Sequence, residues 1–191
     1  MKITDTKVYG IREALVSAGF PMRTGDFSVE NDDTPMDDLL RRGGELGRAP
    51  IGSGHDKLLR FITVNFTITA ERYFFQQLQT YSFITLDSAS TMHRITAFDI
   101  ASMCNPNVDQ RVIDILKEYV DRYKEHPSQE NFELIKANVP EGLCLSAYAT
   151  TNYQQIKTVV SQRKDHRLTE WHDFVVWASQ LPYAVEMGVI A

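Results

Sequence analysis

Cysteine is scarce. Cys104 and Cys144 are the only two in 191 residues. Two thiols cannot build the disulfide framework of a small secreted domain, and the usage points to a reducing, cytoplasmic setting. Long apolar runs are missing too. No stretch reaches the ~18 apolar residues of a membrane span. The opening residues, Met1-Lys2-Ile3-Thr4-Asp5, lack the apolar core of a signal peptide. Positive charge is not in excess: 20 Lys and Arg stand against 25 Asp and Glu, for a net charge of −5. No overall field therefore draws the chain to nucleic acid or to an anionic membrane, and an anionic ligand must be held by a local cluster. GxGxxG, P-loop and GxSxG patterns are all absent. His55, His126, His166 and His172 offer no metal set. His166 and His172 are six residues apart and would point to different sides of one helix, so no metal is expected.

What is present describes an ordinary globular chain. With 43% hydrophobic and 24% charged residues, its length suits one domain, residues 1–191, with a sizeable core. Residues 60–68 alternate: Ile62, Val64, Phe66 and Ile68 face one way, and Thr63, Asn65 and Thr67 the other. That period predicts a half-buried strand. A helix is expected over 69–81, with Ala70, Phe74, Leu78 and Tyr81 on one face. Further helices are expected at 108–125 (Val112, Leu116, Tyr119 and Tyr123 inside), at 128–138 capped by Ser128, at 152–163 and at 169–181. A short strand fits 143–149. Residues 21–50, crowded with Asp and Glu and holding Gly43, Gly44 and Gly47, read as a polar loop around a short helix at 36–42. The fold class is α/β, with helices packed on a sheet that is antiparallel at least in part.

Two places could hold an anion. On the 152–163 helix, Asn152, Ile156, Val159 and Arg163 share a face at 100° per residue, and Ile156 and Val159 mark that face as buried. An arginine there needs a carboxylate or a bound anion. It is either a phosphate clamp or half of an internal ion pair. The run Ser88-Ala89-Ser90-Thr91 is either an anion-binding loop of hydroxyls and N–H groups or a capped helix start. His93 and Arg94 follow it directly. Cys104 and Cys144, with no base partner in the sequence, are expected to be small buried residues.

The segment from Glu71 through Gln77-Leu78 to Ser90 resembles the signature region of flavin-dependent thymidylate synthases. Arg72-Tyr73 and Gln77-Leu78 match its first two pairs, and Ser90 stands the required distance beyond. A second match is Asn152 opening a helix that ends in Arg163, followed by His166 and Trp171. The pattern around Ser90–Arg94 and Arg163–His166 is similar to a phage and Firmicutes subset of that family. The family's Arg-His-Arg triplet is Thr80-Tyr81-Ser82 here, and its following arginine is Met92, with Arg94 two residues late.

The resemblance implies a mostly antiparallel sheet packed with helices. It also implies a pyrimidine nucleotide, dUMP, as substrate. Gln77 would lie on the base, Ser88, Ser90, Thr91 and Arg94 would meet the nucleotide with Ser90 at the reacting end, and Arg163 would hold the phosphate or base edge. The implied cofactor is FAD, with Asn152, Thr80, Tyr81, Ser82 and His93 near it. NADPH and methylenetetrahydrofolate would take part in transfer of a one-carbon unit to C5. A homotetramer would build each site from several subunits. Because the triplet has lost its charge, weak or absent flavin binding is expected.

Overall fold

The computed structural model describes residues 1–190. In chain order these form β1 (Lys2–Tyr9), α1 (Ile11–Ser17), α2 (Met36–Gly47), β2 (Thr63–Glu71), α3 (Arg72–Leu78), β3 (Thr85–Ser88), α4 (Thr91–Arg94), α5 (Ile100–Met103), α6 (Gln110–Glu125), α7 (Gln129–Ala137), β4 (Cys144–Asn152), α8 (Tyr153–Arg163) and α9 (Thr169–Ser179). The four strands make one antiparallel sheet in the order β1-β2-β4-β3, and the class is α/β as expected.

The period-2 signal becomes β2, but the strand begins at Thr63 and runs to Glu71. Residues His55–Arg60 ahead of it coil into a 3-10 turn that buries Leu58 and Leu59. Beyond Ile68 the ladder continues, so Thr69-Ala70-Glu71 are strand and the following helix is shorter than expected. The register is fixed at both ends. Arg72 N donates to Leu143 O at 3.1 Å, and Tyr153 N donates to Ile62 O at 3.1 Å. Between them the Thr69 and Ser146 hydroxyls meet at 2.7 Å. Along β2, Val64, Phe66, Ile68 and Ala70 are buried, while the threonines and Asn65 are half-buried.

Contacts divide the chain into two compact units. The first comprises residues 1–2, 67–80 and 86–148. It contains a cluster of Ile95, Ile100, Ile113, Leu116, Val120, Ile135, Val139 and Leu143. On α6 the buried residues are Ile113, Leu116 and Val120, whereas Val112 is 39% exposed. The inward stripe is therefore one residue out of phase with the expected face at its start, and Tyr119 and Tyr123 pack along its margin. Ser128 caps α7, accepting from Asn131 N at 3.1 Å.

The second unit comprises residues 3–66, 81–85 and 149 to the end of the described chain. Here α2 runs to Gly47, five residues past the expected short helix. Its glycines are not loop punctuation. A Cβ on Gly47 would stand 2.1 Å from the Met187 carbonyl oxygen, and one on Gly44 2.6 Å from that of Glu186. The helix tolerates glycine because another backbone lies against it. Tyr153, fully buried, donates from its hydroxyl to Pro182 O at 2.6 Å and so ties the first turn of α8 to the C-terminal segment. Burial, with the Glu186 charge, pushes that phenol above its ordinary range.

Candidate functional site

In the second unit, Asn152 caps α8, its Oδ1 accepting from Gln155 N at 2.9 Å. From there the expected face holds: Ile156 and Val159 are fully buried and Arg163 ends the last turn, half-buried. Neither half of the expected alternative describes its surroundings in full. Among the described residues no carboxylate pairs with Arg163. Its guanidinium lies over the Trp171 ring at 4.9 Å and near the Tyr81 ring at 5.7 Å. Two aromatic faces stabilise the cation where a carboxylate or a bound anion is expected. The Arg163 Nε donates to the Tyr81 hydroxyl at 2.9 Å, and that hydroxyl donates to Gln162 Oε1 at 3.0 Å. Those bonds fix both the phenol and the plane of the guanidinium. The terminal guanidinium nitrogens have no hydrogen-bond partner among the described residues. The result is a planar two-pronged donor, already oriented, suited to a phosphate or a pyrimidine edge.

His166 stands 6.2 Å from Trp171, and its Nδ1 accepts from Leu168 N at 3.1 Å. Its pKa is lowered, first by partial burial and then by the charges of Arg163, Arg167 and His172, with Glu170 opposing. The ring is therefore neutral at pH 7, with its proton on Nε2. Trp171 is fully buried and packs edge-on against Tyr81 and Phe174.

Tyr81 is the middle residue of the altered triplet and is 8% exposed, with its hydroxyl engaged on both sides. It acts on Arg163. Ser82, in the same unit, is exposed. A flavin diphosphate needs cations, and Thr80, Tyr81 and Ser82 supply none. Thr80 Oγ1 moreover donates back to Gln77 O at 2.7 Å. These positions do not fit the diphosphate in the manner the resemblance implies.

In the first unit, Ser90 caps the one-turn helix α4, its Oγ accepting from Met92 N at 3.2 Å, so of the two readings of the hydroxyl run the helix cap is present. Ser88 ends β3 and is exposed; His93 and Arg94 are exposed on α4; Gln77 is half-buried on α3. Lys136 of α7 donates to Thr91 Oγ1. Its ammonium pKa is lowered by burial and by the nearby Arg72 charge. Arg72 in turn donates to Val139 O at 2.9 Å and lies 3.7 Å from a Glu141 carboxylate oxygen. Lys136 is far from the motif in sequence, and no local pattern singles it out. Just before α3, Glu71 is buried, accepts from Asn105 Nδ2 at 2.7 Å, and has a second carboxylate oxygen without a hydrogen-bond partner among the described residues. Among the described residues Cys104 and Cys144 are in no disulfide, and both are only half-buried, contrary to expectation; burial pushes the Cys104 thiol up. Among the described residues no three His, Cys, Asp or Glu side chains are grouped to hold a metal. None of the described helices is long and apolar enough to cross a membrane.

No protein-family model matches the sequence, and no curated protein matches it. Solved structures do match, and they define the fold as that of flavin-dependent thymidylate synthases. The enzyme of Helicobacter pylori complexed with FAD and dUMP matches with a TM-score of 0.77 at 15% identity, over 99% of this chain and 98% of that one. A second structure of it with FAD and dUMP gives 0.74 at 17% identity, over 99% and 97%. A UMP/dUMP methylase from Streptomyces cacaoi bound with 5-Br dUMP gives 0.64 at 13% identity, over 98% and 92%.

Proposed function

We propose that this chain binds a pyrimidine nucleotide of the dUMP type, and that the chemistry such a site serves is one-carbon transfer from methylenetetrahydrofolate to C5 of that nucleotide. The observation that carries the reading is Arg163: an oriented guanidinium between two rings, with its terminal donors open. The fold neighbours that hold dUMP or its 5-bromo analogue support the choice of nucleotide. The resemblance carries Gln77, Ser88, Ser90, Thr91 and Arg94 to the nucleotide, with Ser90 at the reacting end, and Asn152 and His93 toward any flavin. A homotetramer would supply each site from more than one copy. Phe61 and Phe83, 63% and 65% exposed, are apolar surface for such contacts. A single-copy mass by light scattering at micromolar protein would remove that part.

A second reading, a nucleotide-binding module without redox chemistry, is favoured by one observation. The triplet residue Tyr81 is committed to Arg163 and is not available to a cofactor. Two titrations decide. Calorimetry of dUMP into the unmodified chain and into Arg163→Ala tests the nucleotide site, and equal affinity in the two would end the proposal. Titration with FAD, followed by visible absorbance, separates the readings. Tight stoichiometric flavin binding would favour the enzyme, and its absence the binding module.

A further inference from the structure

On another face of α8, within the second unit, lies a cavity of about 500 Å3. One wall is the C-terminal segment. Gly188, at φ +66°, turns the backbone so that Val189 and Ile190 line the space. A side chain at Gly188 would be strained, and its Cβ would come within 2.5 Å of Arg48. The glycines of α2 let this segment lie directly on the helix, as described above. Val160 and Ile51 add to an apolar lining.

Among the described residues the charged side chains that line this space have one sign: Arg48, Lys157 and Lys164, and no acidic side chain. Lys157 is spoken for: its Nζ donates to Gly47 O at 2.7 Å, to Ala49 O at 2.6 Å and to Asp56 Oδ2 at 3.3 Å. Arg48 and Lys164 have no ion-pair partner among the described residues, and both are exposed at the mouth. An apolar interior of ligand size beneath two uncompensated cations selects for an amphipathic anion.

We propose that this cavity is a binding site for a small anion with an apolar body, of the carboxylate or organic-phosphate type, its head between Arg48 and Lys164 and its body against Val160, Val189 and Ile190. It shares none of these lining residues with Arg163 and does not depend on the nucleotide reading.

The probe pair is octanoate and octanol, alike in chain and different in charge, titrated calorimetrically into the full chain. Octanoate is expected to bind saturably at one site and about tenfold more tightly than octanol. The paired substitution R48E and K164E should lose about tenfold in octanoate affinity. S161W, a change at an exposed position on the cavity wall, should abolish saturable binding by filling the space. Arg163→Ala should leave octanoate binding as it was. Thermal unfolding of each variant checks that it is folded. No saturable binding, equal affinity for octanol, or unchanged affinity in both the charge-reversed and the filled variants would overturn the proposal.

Discussion

Two cations on α8, Lys157 and Arg163, stand six residues apart on different faces of the helix. Lys157 is saturated: a carboxylate and two backbone carbonyls receive its ammonium, and Gln154 Nε2 donates at 2.9 Å to the other oxygen of Asp56. Among the described residues no anion meets Arg163. It is held by one phenol oxygen and two ring faces, which orient it without neutralising it. A paired, fully bonded buried charge holds backbone in place; an oriented and unneutralised one is available to a ligand. The internal ion pair considered for Arg163 exists on this helix, at Lys157.

The largest effect expected from that contrast is at Asp56, which is fully buried. Asp56→Ala would strand the Lys157 ammonium against two carbonyls and should destabilise the chain by about 3–5 kcal/mol. Urea unfolding measures it. A loss below about 1 kcal/mol would mean that the carbonyls alone hold Lys157. Arg163→Ala is the opposite case. It should weaken dUMP binding by about 2 kcal/mol, because charge-assisted bonds are lost, and change stability much less. A stability loss as large as that at Asp56, with binding untouched, would make the two cations alike and erase the comparison.

Tyr81→Phe sharpens it further. The ring and the face over Arg163 remain, while the hydroxyl that receives Nε is removed. Nucleotide affinity should fall by about 1 kcal/mol, the worth of one hydrogen bond, with the fold retained. Tyr81→His, which restores one triplet residue, should not recover it, since a histidine cannot reproduce the phenol's place between Arg163 and Gln162. Full dUMP affinity in Tyr81→Phe would show that the rings alone position Arg163.

How far the sequence revealed this follows from the range of each signal. The period of β2 and the α8 face through Ile156, Val159 and Arg163 are local, repeating patterns, and both are present in the structure. The Ser128 cap depends on a side chain reaching a backbone N–H three residues on, and it too was legible; that Asn152 caps α8 is a finding of the structure. Other features are set by contacts distant in sequence. Gly44 and Gly47 read as a loop because the backbone they accommodate, at 186–187, is some 140 residues away. Lys136 meets Thr91, and Lys157 meets Asp56, with no pattern joining either pair. Arg163 was found, but its partners were expected to be anionic. A cation held by aromatic rings leaves a weaker mark than a salt bridge, because the same rings read as core.

The smallest expected effect is at His166, beside the unneutralised end of α8. Its pKa is lowered by partial burial, by the charges of Arg163 and Arg167, and by His172; Glu170 pulls the other way. The unfolded histidine titrates near the ordinary 6.5. Between the folded value and 6.5 the unfolded chain binds more protons, so stability should rise with pH across that window and fall on acidification below 6.5. His166→Asn keeps an acceptor for Leu168 N and removes the titration; it should flatten that part of the pH dependence and leave the rest. A bound nucleotide extends the test to Arg163. A phosphate there would offset the positive charges that depress His166, so its pKa should rise on dUMP binding and the complex should take up a fraction of a proton. Proton NMR of the His166 ring, with and without dUMP, reads this directly. If dUMP binds and the His166 titration does not move, the anion lies elsewhere, and Arg163, however well oriented, is a second structural cation like Lys157.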